Sequence, residues 1–198
     1  MTTAIKSISV KAGFPDFLDL PWQLPLNQWQ GNCARLENVP RGLSRHPVVF
    51  VNYDGAVFAL KEVAPGAAEK EYDLLVKMEE LHLPAVQPVG HVKTNTEQGE
   101  KSVLVTRYLD RSLPYRSLFM RERLVRYRDS LLDAMAGLLV QLHLTGIYWG
   151  DCSLSNTLFR RDAGALQAYL VDAETAAYFP DYYPPAERLQ DLVIMEEN

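Results

Sequence analysis

The sequence predicts an α+β fold in which a strand-rich part is followed by a helical part. Two apolar runs, 48–53 and 56–61, flank Asp54-Gly55, a dipeptide that favours a two-residue β-hairpin turn. Leucine and methionine recur at helical spacing over 125–144. Strand patterns thus dominate the first part of the chain, with one helical pattern among them, and helical patterns dominate the second part.

The N-terminal 32 residues are expected to form an arm that packs on the body of the protein. Three prolines within 13–31 argue against one long helix there. Trp22 and Trp29 are expected to pack this arm onto the body. The rest of the chain is predicted to divide into a strand-rich lobe, 33–107, and a hinge with a partial helical lobe, 108–198.

Five strands and one inserted helix are expected in the strand-rich lobe. The helix should stop before Pro84, since the residue before a proline disfavours the helical conformation. The predicted elements are strands at 34–39 (the weakest), 48–53, 56–61, 85–92 and 102–108, and a helix at 67–83.

The helical part is expected to begin after residue 110. Gly146 is a typical residue to end its long helix, because it tolerates the left-handed conformation. The predicted elements are a short helix at 115–120, the long helix at 125–144, strands at 157–160 and 167–171, and a helix at the end of the chain.

Composition excludes several classes of protein. The chain has 198 residues, enough for one good core or two small lobes. Its net charge of −5 argues against a nucleic-acid partner. No apolar run reaches the length of a membrane span, and Cys33 and Cys152 have neither metal nor disulfide spacing. These features predict a cytoplasmic protein.

Three polar residues indicate phosphoryl transfer. Asn156 follows five positions after Asp151, the spacing of the protein-kinase catalytic loop H-R-D-x-x-x-x-N. Asp172 ends the short apolar run 169–171. An aspartate that accepts a hydroxyl proton, an asparagine ligand and a second aspartate ligand are what transfer from Mg-ATP requires. The cofactors predicted are therefore ATP and Mg²⁺.

Lys61 is a candidate phosphate-binding residue. It ends the predicted strand 56–61, where a kinase lysine reaches the ATP phosphates, and it needs an acidic partner. Glu71 is favoured over Glu69, because only Glu71 shares its helical face with the apolar residues. Those residues are Leu74, Leu75, Met78 and Leu81.

Four segments carry a resemblance to a known family. The order of lobes and motifs resembles the protein-kinase-like fold. The motif from Leu142-His143 to Gly150-Asp151 is similar to that of aminoglycoside and small-molecule kinases. The four segments are Pro40–His46, Tyr108–Phe119, Trp149–Arg161 and Val171–Thr175. In these segments the chain more closely resembles a bacterial kinase-like family of unknown function, sometimes labelled lipopolysaccharide kinase-like.

The resemblance implies a kinase-like fold with a five-stranded antiparallel N-lobe, one inserted helix and a truncated C-lobe. It also implies a role for each site residue. These are Asp151 as catalytic base, Asn156 and Asp172 as Mg²⁺ ligands, Lys61 with Glu71 at the ATP phosphates, and Tyr108 and Leu109 in a hinge that binds adenine through its backbone.

Two departures from the kinase pattern concern phosphate binding and the length of the C-lobe. No G-x-G-x-x-G precedes Lys61, and the corresponding turn has one glycine; Arg41, Ser44 and Arg45 are expected to bind phosphate through their side chains. Only 26 residues, 173–198, follow the last motif. We therefore expect a fragment of a longer protein, a minimal C-lobe, or a lobe completed by a partner chain.

The leading hypothesis is a Mg-ATP-dependent phosphotransferase that acts on a hydroxyl of a small molecule, sugar or glycolipid. The first alternative is a pseudokinase or nucleotide-binding regulatory module without turnover, which the missing glycines and the short lobe favour. The second is a protein-serine kinase, disfavoured because an activation segment and peptide-docking helices have no room after Asp172. The sequence does not identify the acceptor.

Overall fold

A computed structural model describes residues 4–39, 44–115, 128–162 and 164–197. The chain forms two compact units, and α1 (Ala67–Glu80) begins in the first and ends in the second. The described residues of 1–40, 44–76 and 87–108 form the first unit, and those of 77–86 and 109–198 form the second. The boundaries predicted at 32 and 107 stay a prediction.

The first unit is built on a five-stranded antiparallel sheet, as the sequence predicts. Its strands follow the spatial order β1-β4-β5-β3-β2, and α1 follows β3 in the chain. The strands are β1 (Ile5–Val10), β2 (Val48–Tyr53), β3 (Ala56–Val63), β4 (Pro88–Thr96) and β5 (Gly99–Arg107).

The predicted hairpin is confirmed. Tyr53 pairs with Ala56, so two residues form the turn between β2 and β3. Asp54 and Gly55 have φ values of 52° and 84°. Positive φ at both central residues matches the right-handed twist of the strands, which explains the preference for this dipeptide.

One of the five strands was predicted in the wrong place. Residues 34–39, all of them described, form only an isolated bridge between Leu36 and Val51. Leu36 and Val39 are three positions apart and cannot face the same side of a strand. The fifth strand is β1, which pairs with β4, where a Cβ on Gly90 would lie 2.3 Å from the Ser9 carbonyl oxygen.

The N-terminal residues pack onto the sheet through aromatic side chains. Phe17, Trp22 and Trp29 are buried, and the two indoles meet edge to face with centroids 5.3 Å apart. The Trp22 Nε1–H donates to the Phe17 carbonyl at 2.7 Å. The predicted packing of both tryptophans is therefore confirmed, and they belong to a core that includes Val51, Phe58, Leu60, Val92 and Val105.

Among its described residues, the second unit contains two helices after α1 and three short antiparallel pairings. Helix α2 is Arg128–Leu144 and helix α3 is Pro185–Glu197. The strands are β6 (Leu113–Pro114), β7 (Ile147–Tyr148), β8 (Thr157–Asp162), β9 (Ala165–Leu170) and β10 (Ala177–Tyr178), paired as β6-β8-β9 and β7-β10.

The long helix buries one leucine-rich face. Its buried residues are Leu131, Ala134, Met135, Leu138, Leu139 and Leu142. Gly146, with φ 81°, follows its end as predicted. Most of the predicted helix at 115–120, and residues 125–127 of the predicted long helix, lie outside the described residues. None of the helices in the described ranges has both the length and the apolarity of a membrane span.

Candidate functional site

Lys61 and Glu71 form an ion pair in the first unit. The Lys61 Nζ lies 2.7 Å from the carboxylate oxygens of Glu71. Only 13% of the lysine side chain and 1% of the glutamate side chain are exposed. A charge pair this sheltered has little competition from water, so strand β3 and helix α1 hold the ammonium group in one place.

Glu69, the alternative acidic partner considered for Lys61, binds a different lysine. Glu69 lies in the first turn of α1, and its carboxylate accepts from the Lys93 Nζ at 2.6 Å. Both of these side chains are at least one-third exposed. Glu71 lies two positions further along the helix, and its carboxylate is buried against β3, as its apolar helical face predicts.

The loop that carries Asp151 folds back on its own backbone. The Asp151 carbonyl accepts from the Ser153 N–H at 2.8 Å and from the Asn156 Nδ2 at 3.1 Å. A 3-10 turn, Leu154–Asn156, then leads into β8, and the Thr157 hydroxyl donates to the Ser153 carbonyl at 3.0 Å. These bonds bring Asn156 next to Asp151.

The β8–β9 hairpin brings Asp172 to the same loop. Thr157 pairs with Leu170, and the Val171 N–H donates to the Asn156 carbonyl at 3.0 Å. Asp172 therefore directly follows Val171, the residue whose backbone is bonded to Asn156. Asp151, Asn156 and Asp172 are all partly exposed, and this part of the chain holds all three in one local structure.

The atoms that these residues present suit a hard cation. Because the Asn156 NH₂ group donates to Asp151, the other atom of that amide is the oxygen, which is a ligand type preferred by Mg²⁺. One oxygen of Asp172 accepts the Glu174 N–H at 3.1 Å, and a carboxylate has about four acceptor positions, so this bond is compatible with a metal. Within the described ranges no group of three His, Cys, Asp or Glu could hold a metal ion. A kinase-type Mg²⁺ site needs only one or two protein side chains, with phosphate and water completing it.

The sequence analysis did not identify Asp191, whose carboxylate binds the backbone of this loop. Asp191 is fully buried, and its carboxylate accepts the Trp149 N–H at 3.0 Å and the Gly150 N–H at 2.8 Å. The His143 Nε2 lies 2.9 Å from the same carboxylate. Helix α3 thus fixes the backbone immediately before Asp151, and His143 contacts the same buried aspartate.

Little in the sequence could have identified Asp191. Among the described residues of α3 it is the only buried one, while Leu189 and Leu192 are more than half exposed. Apolar periodicity would place the leucines inside and the aspartate outside. The aspartate is buried because its partners are backbone N–H groups some 40 residues earlier, which no local pattern reveals.

Cys152, next to Asp151, is a buried thiol. Its Sγ donates to the Asp191 carbonyl at 2.7 Å. Burial, and secondarily the negative charge of Asp191, raise the pKa of the Cys152 thiol to about 12. The thiolate is the reactive form of cysteine, so this side chain is chemically inert at neutral pH.

The remaining predicted ligand-binding residues that the structure describes lie outside the helices and strands. Arg41 lies outside the described residues. Ser44 and Arg45 are exposed, and the Ser44 hydroxyl accepts the His46 N–H at 3.2 Å. The Tyr108 N–H donates to the Val57 carbonyl at 3.0 Å, and the Leu109 carbonyl accepts the Ser112 N–H at 3.3 Å.

A scan against protein families matches residues 59–179 to the lipopolysaccharide kinase (Kdo/WaaP) family. The match spans 121 of 198 residues and contains Lys61, Glu71, Asp151, Asn156 and Asp172. None of the curated proteins matches the chain.

Solved structures support the same fold. One match is a structure described as WaaP in complex with acyl carrier protein, with a TM-score of 0.64 and 18% identity. It covers 96% of this chain and 80% of that one. In all, 1145 solved chains match, so the resemblance establishes a kinase-like fold and leaves the acceptor open.

Proposed function

We propose that this chain, which belongs to the lipopolysaccharide kinase (Kdo/WaaP) family, transfers the γ-phosphoryl group of ATP to a hydroxyl on a small molecule, sugar or glycolipid. Family membership supports a kinase-like phosphotransferase with ATP as donor. The observation that carries the proposal is the local assembly of Asp151, Asn156 and Asp172. The Asn156 side chain donates to the Asp151 carbonyl, and the Asn156 carbonyl accepts from the residue before Asp172. Binding alone would need Asn156 and Asp172 but would not need Asp151.

The proposed chemistry begins at Asp151. Its carboxylate orients the acceptor hydroxyl and takes its proton as the hydroxyl oxygen bonds to the γ-phosphorus and the bond to the ADP oxygen breaks. Asn156 and Asp172 would hold Mg²⁺, which supplies neutralisation of the charge that develops on the phosphate oxygens. Lys61, oriented by Glu71, would bind a phosphate as a point charge.

Adenine binding is proposed for the backbone of the 107–110 segment. Because the Tyr108 N–H already donates within the sheet, the adenine contact would fall to other backbone groups of this segment. Arg41, Ser44 and Arg45 remain our proposed side-chain contacts to phosphate in place of a glycine-rich loop.

Thermal melting with and without Mg-ATP tests the nucleotide site. A ligand at about 100 times its Kd stabilises the folded state by about 2.7 kcal/mol, which raises the Tm by roughly 5–10 °C for a chain of this size. We expect this rise in the wild type, its loss in Lys61→Ala and Asp172→Ala, and its retention in Asp181→Ala, an exposed control. No rise in a folded wild-type sample would refute the proposal.

A second candidate function is nucleotide binding without turnover. The single glycine in the 40–46 turn favours it, since backbone N–H groups of a glycine-rich loop normally cover the phosphates. Asp151→Asn distinguishes the two functions: it should keep the Mg-ATP melting shift and lose phosphate transfer if the chain is an enzyme. A wild type that binds Mg-ATP and never turns it over supports the regulatory module.

A further inference from the structure

The segment that carries Asp172 is attached to the Asp151 loop at two points. The first attachment is the Val171 N–H to the Asn156 carbonyl, at 3.0 Å. The second is at the other end of the segment, where the Thr175 hydroxyl donates to the Trp149 carbonyl at 2.9 Å. Asp172 lies between these two bonds, so both determine where its carboxylate can point.

The second attachment is a close one. Gly150 has φ 78°, and a Cβ placed on it would lie 2.7 Å from the Thr175 carbonyl oxygen and 3.1 Å from the Thr175 Cβ. Glycine is therefore needed here both for its backbone conformation and for the absence of a side chain. The absence of a side chain at Gly150 therefore lets Thr175 lie directly against the loop backbone.

Both sides of the peptide plane between Trp149 and Gly150, next to Asp151, are thereby held. The Trp149 carbonyl accepts from Thr175, and the Gly150 N–H donates to Asp191 on α3. The Trp149 N–H, which belongs to the preceding peptide, donates to Asp191 as well. Asp191 thus holds the N–H side of this peptide and the Thr175 hydroxyl holds its carbonyl side, next to the β7–β10 pairing of Tyr148 with Ala177.

We infer that Thr175 is a positioning residue that couples the proposed metal ligand Asp172 to the loop of the proposed base Asp151. This inference rests on the proposed function. The hydroxyl itself touches neither substrate nor metal in this assignment. It acts by keeping the 172–175 segment in register with 149–151, so that Asp151, Asn156 and Asp172 keep one relative arrangement.

The test compares three variants. Thr175→Val keeps the branched shape and removes the hydroxyl, while Thr175→Ser keeps the hydroxyl. Thr175 is exposed, so neither change disturbs the core. The control is Thr145→Val, which removes a hydroxyl that donates to the Gln141 carbonyl at 2.9 Å, at the end of α2.

The first readout is the Mg²⁺-dependent part of ATP binding, measured as the ratio of Kd values with excess EDTA and with excess Mg²⁺. A typical hydrogen bond is worth about 1 kcal/mol, so Thr175→Val should reduce this ratio about fivefold. Binding of ATP in EDTA should not change. Thr175→Ser and Thr145→Val should stay within about twofold of wild type.

The second readout is amide hydrogen exchange of 149–151 and 172–176 without any ligand. Faster exchange of both segments in Thr175→Val, reversed in Thr175→Ser, supports the coupling. Equal exchange and an equal Mg²⁺ ratio in Thr175→Val and wild type would overturn it, as would a serine variant as impaired as valine. If the wild type does not bind Mg-ATP, the proposed function fails, and the exchange comparison alone decides on the coupling.

Discussion

Replacing Asp191 by asparagine should destabilise the second unit by about 2–4 kcal/mol. The carboxylate accepts the Trp149 N–H at 3.0 Å, the Gly150 N–H at 2.8 Å and the His143 Nε2 at 2.9 Å. Asparagine presents one oxygen and one NH₂ group, so at least one buried donor must face another donor. A hydrogen bond to a charged group contributes about 1.5–3 kcal/mol, and a stranded buried donor costs about 1–3 kcal/mol.

Urea unfolding followed by circular dichroism measures this change, and amide exchange at 149 and 150 locates it. Asp133→Asn, at an exposed position of α2, is the matched control and should stay within about 0.5 kcal/mol of wild type. Displacement of the loop by even ~1 Å should also lower any turnover by about 100-fold. A stable Asp191→Asn protein with unchanged exchange at both amides would refute the view that α3 holds the loop.

Three further predictions concern other groups. Lys61→Met should destabilise the fold by about 3–5 kcal/mol because it leaves a buried carboxylate without its lysine, whereas Lys61→Met with Glu71→Met should be close to wild type in urea unfolding. A thiol reagent at pH 8 should modify Cys33 but not native Cys152, since a pKa of about 12 lowers the thiolate fraction to about one in ten thousand; two reactive thiols before unfolding would contradict this. Burial, and secondarily the negative charge of Asp191, raise the pKa of the Tyr183 hydroxyl. The stability that the protonated Tyr183 contributes is therefore present below about pH 10 and lost as pH rises further. Melting temperatures that do not fall above about pH 10 would contradict this expectation.

Local sequence patterns predicted much of this fold because the conformations that they favour are also the ones that the long-range contacts require. Asp54-Gly55 forms the expected turn since its φ preferences and the strand twist coincide. The burial of Glu71 follows from the apolar face of α1. The spacing of Asp151 and Asn156 predicted a single loop, and one side-chain bond within that loop joins them.

The errors lie where a distant partner decides the structure. β1 is a strand because it pairs with β4, about 80 residues later, and Gly90 allows the close approach. Residues 34–39 have comparable composition but no alternation that fits an edge strand. Asp191 is buried where the Trp149 and Gly150 N–H groups and the His143 side chain contact its carboxylate, so its sequence neighbours carry no signal.

We propose that Asp151 makes this chain an enzyme and not only a nucleotide-binding protein. The most direct measurement is Mg-dependent ADP formation from ATP by wild type and Asp151→Asn, with the Mg-ATP Kd of each protein measured in parallel. We predict Kd values within about threefold of each other and turnover at least about 100-fold lower in the variant. Equal turnover in the two proteins, or binding without turnover in the wild type across a panel of sugars and glycolipids, would contradict the claim.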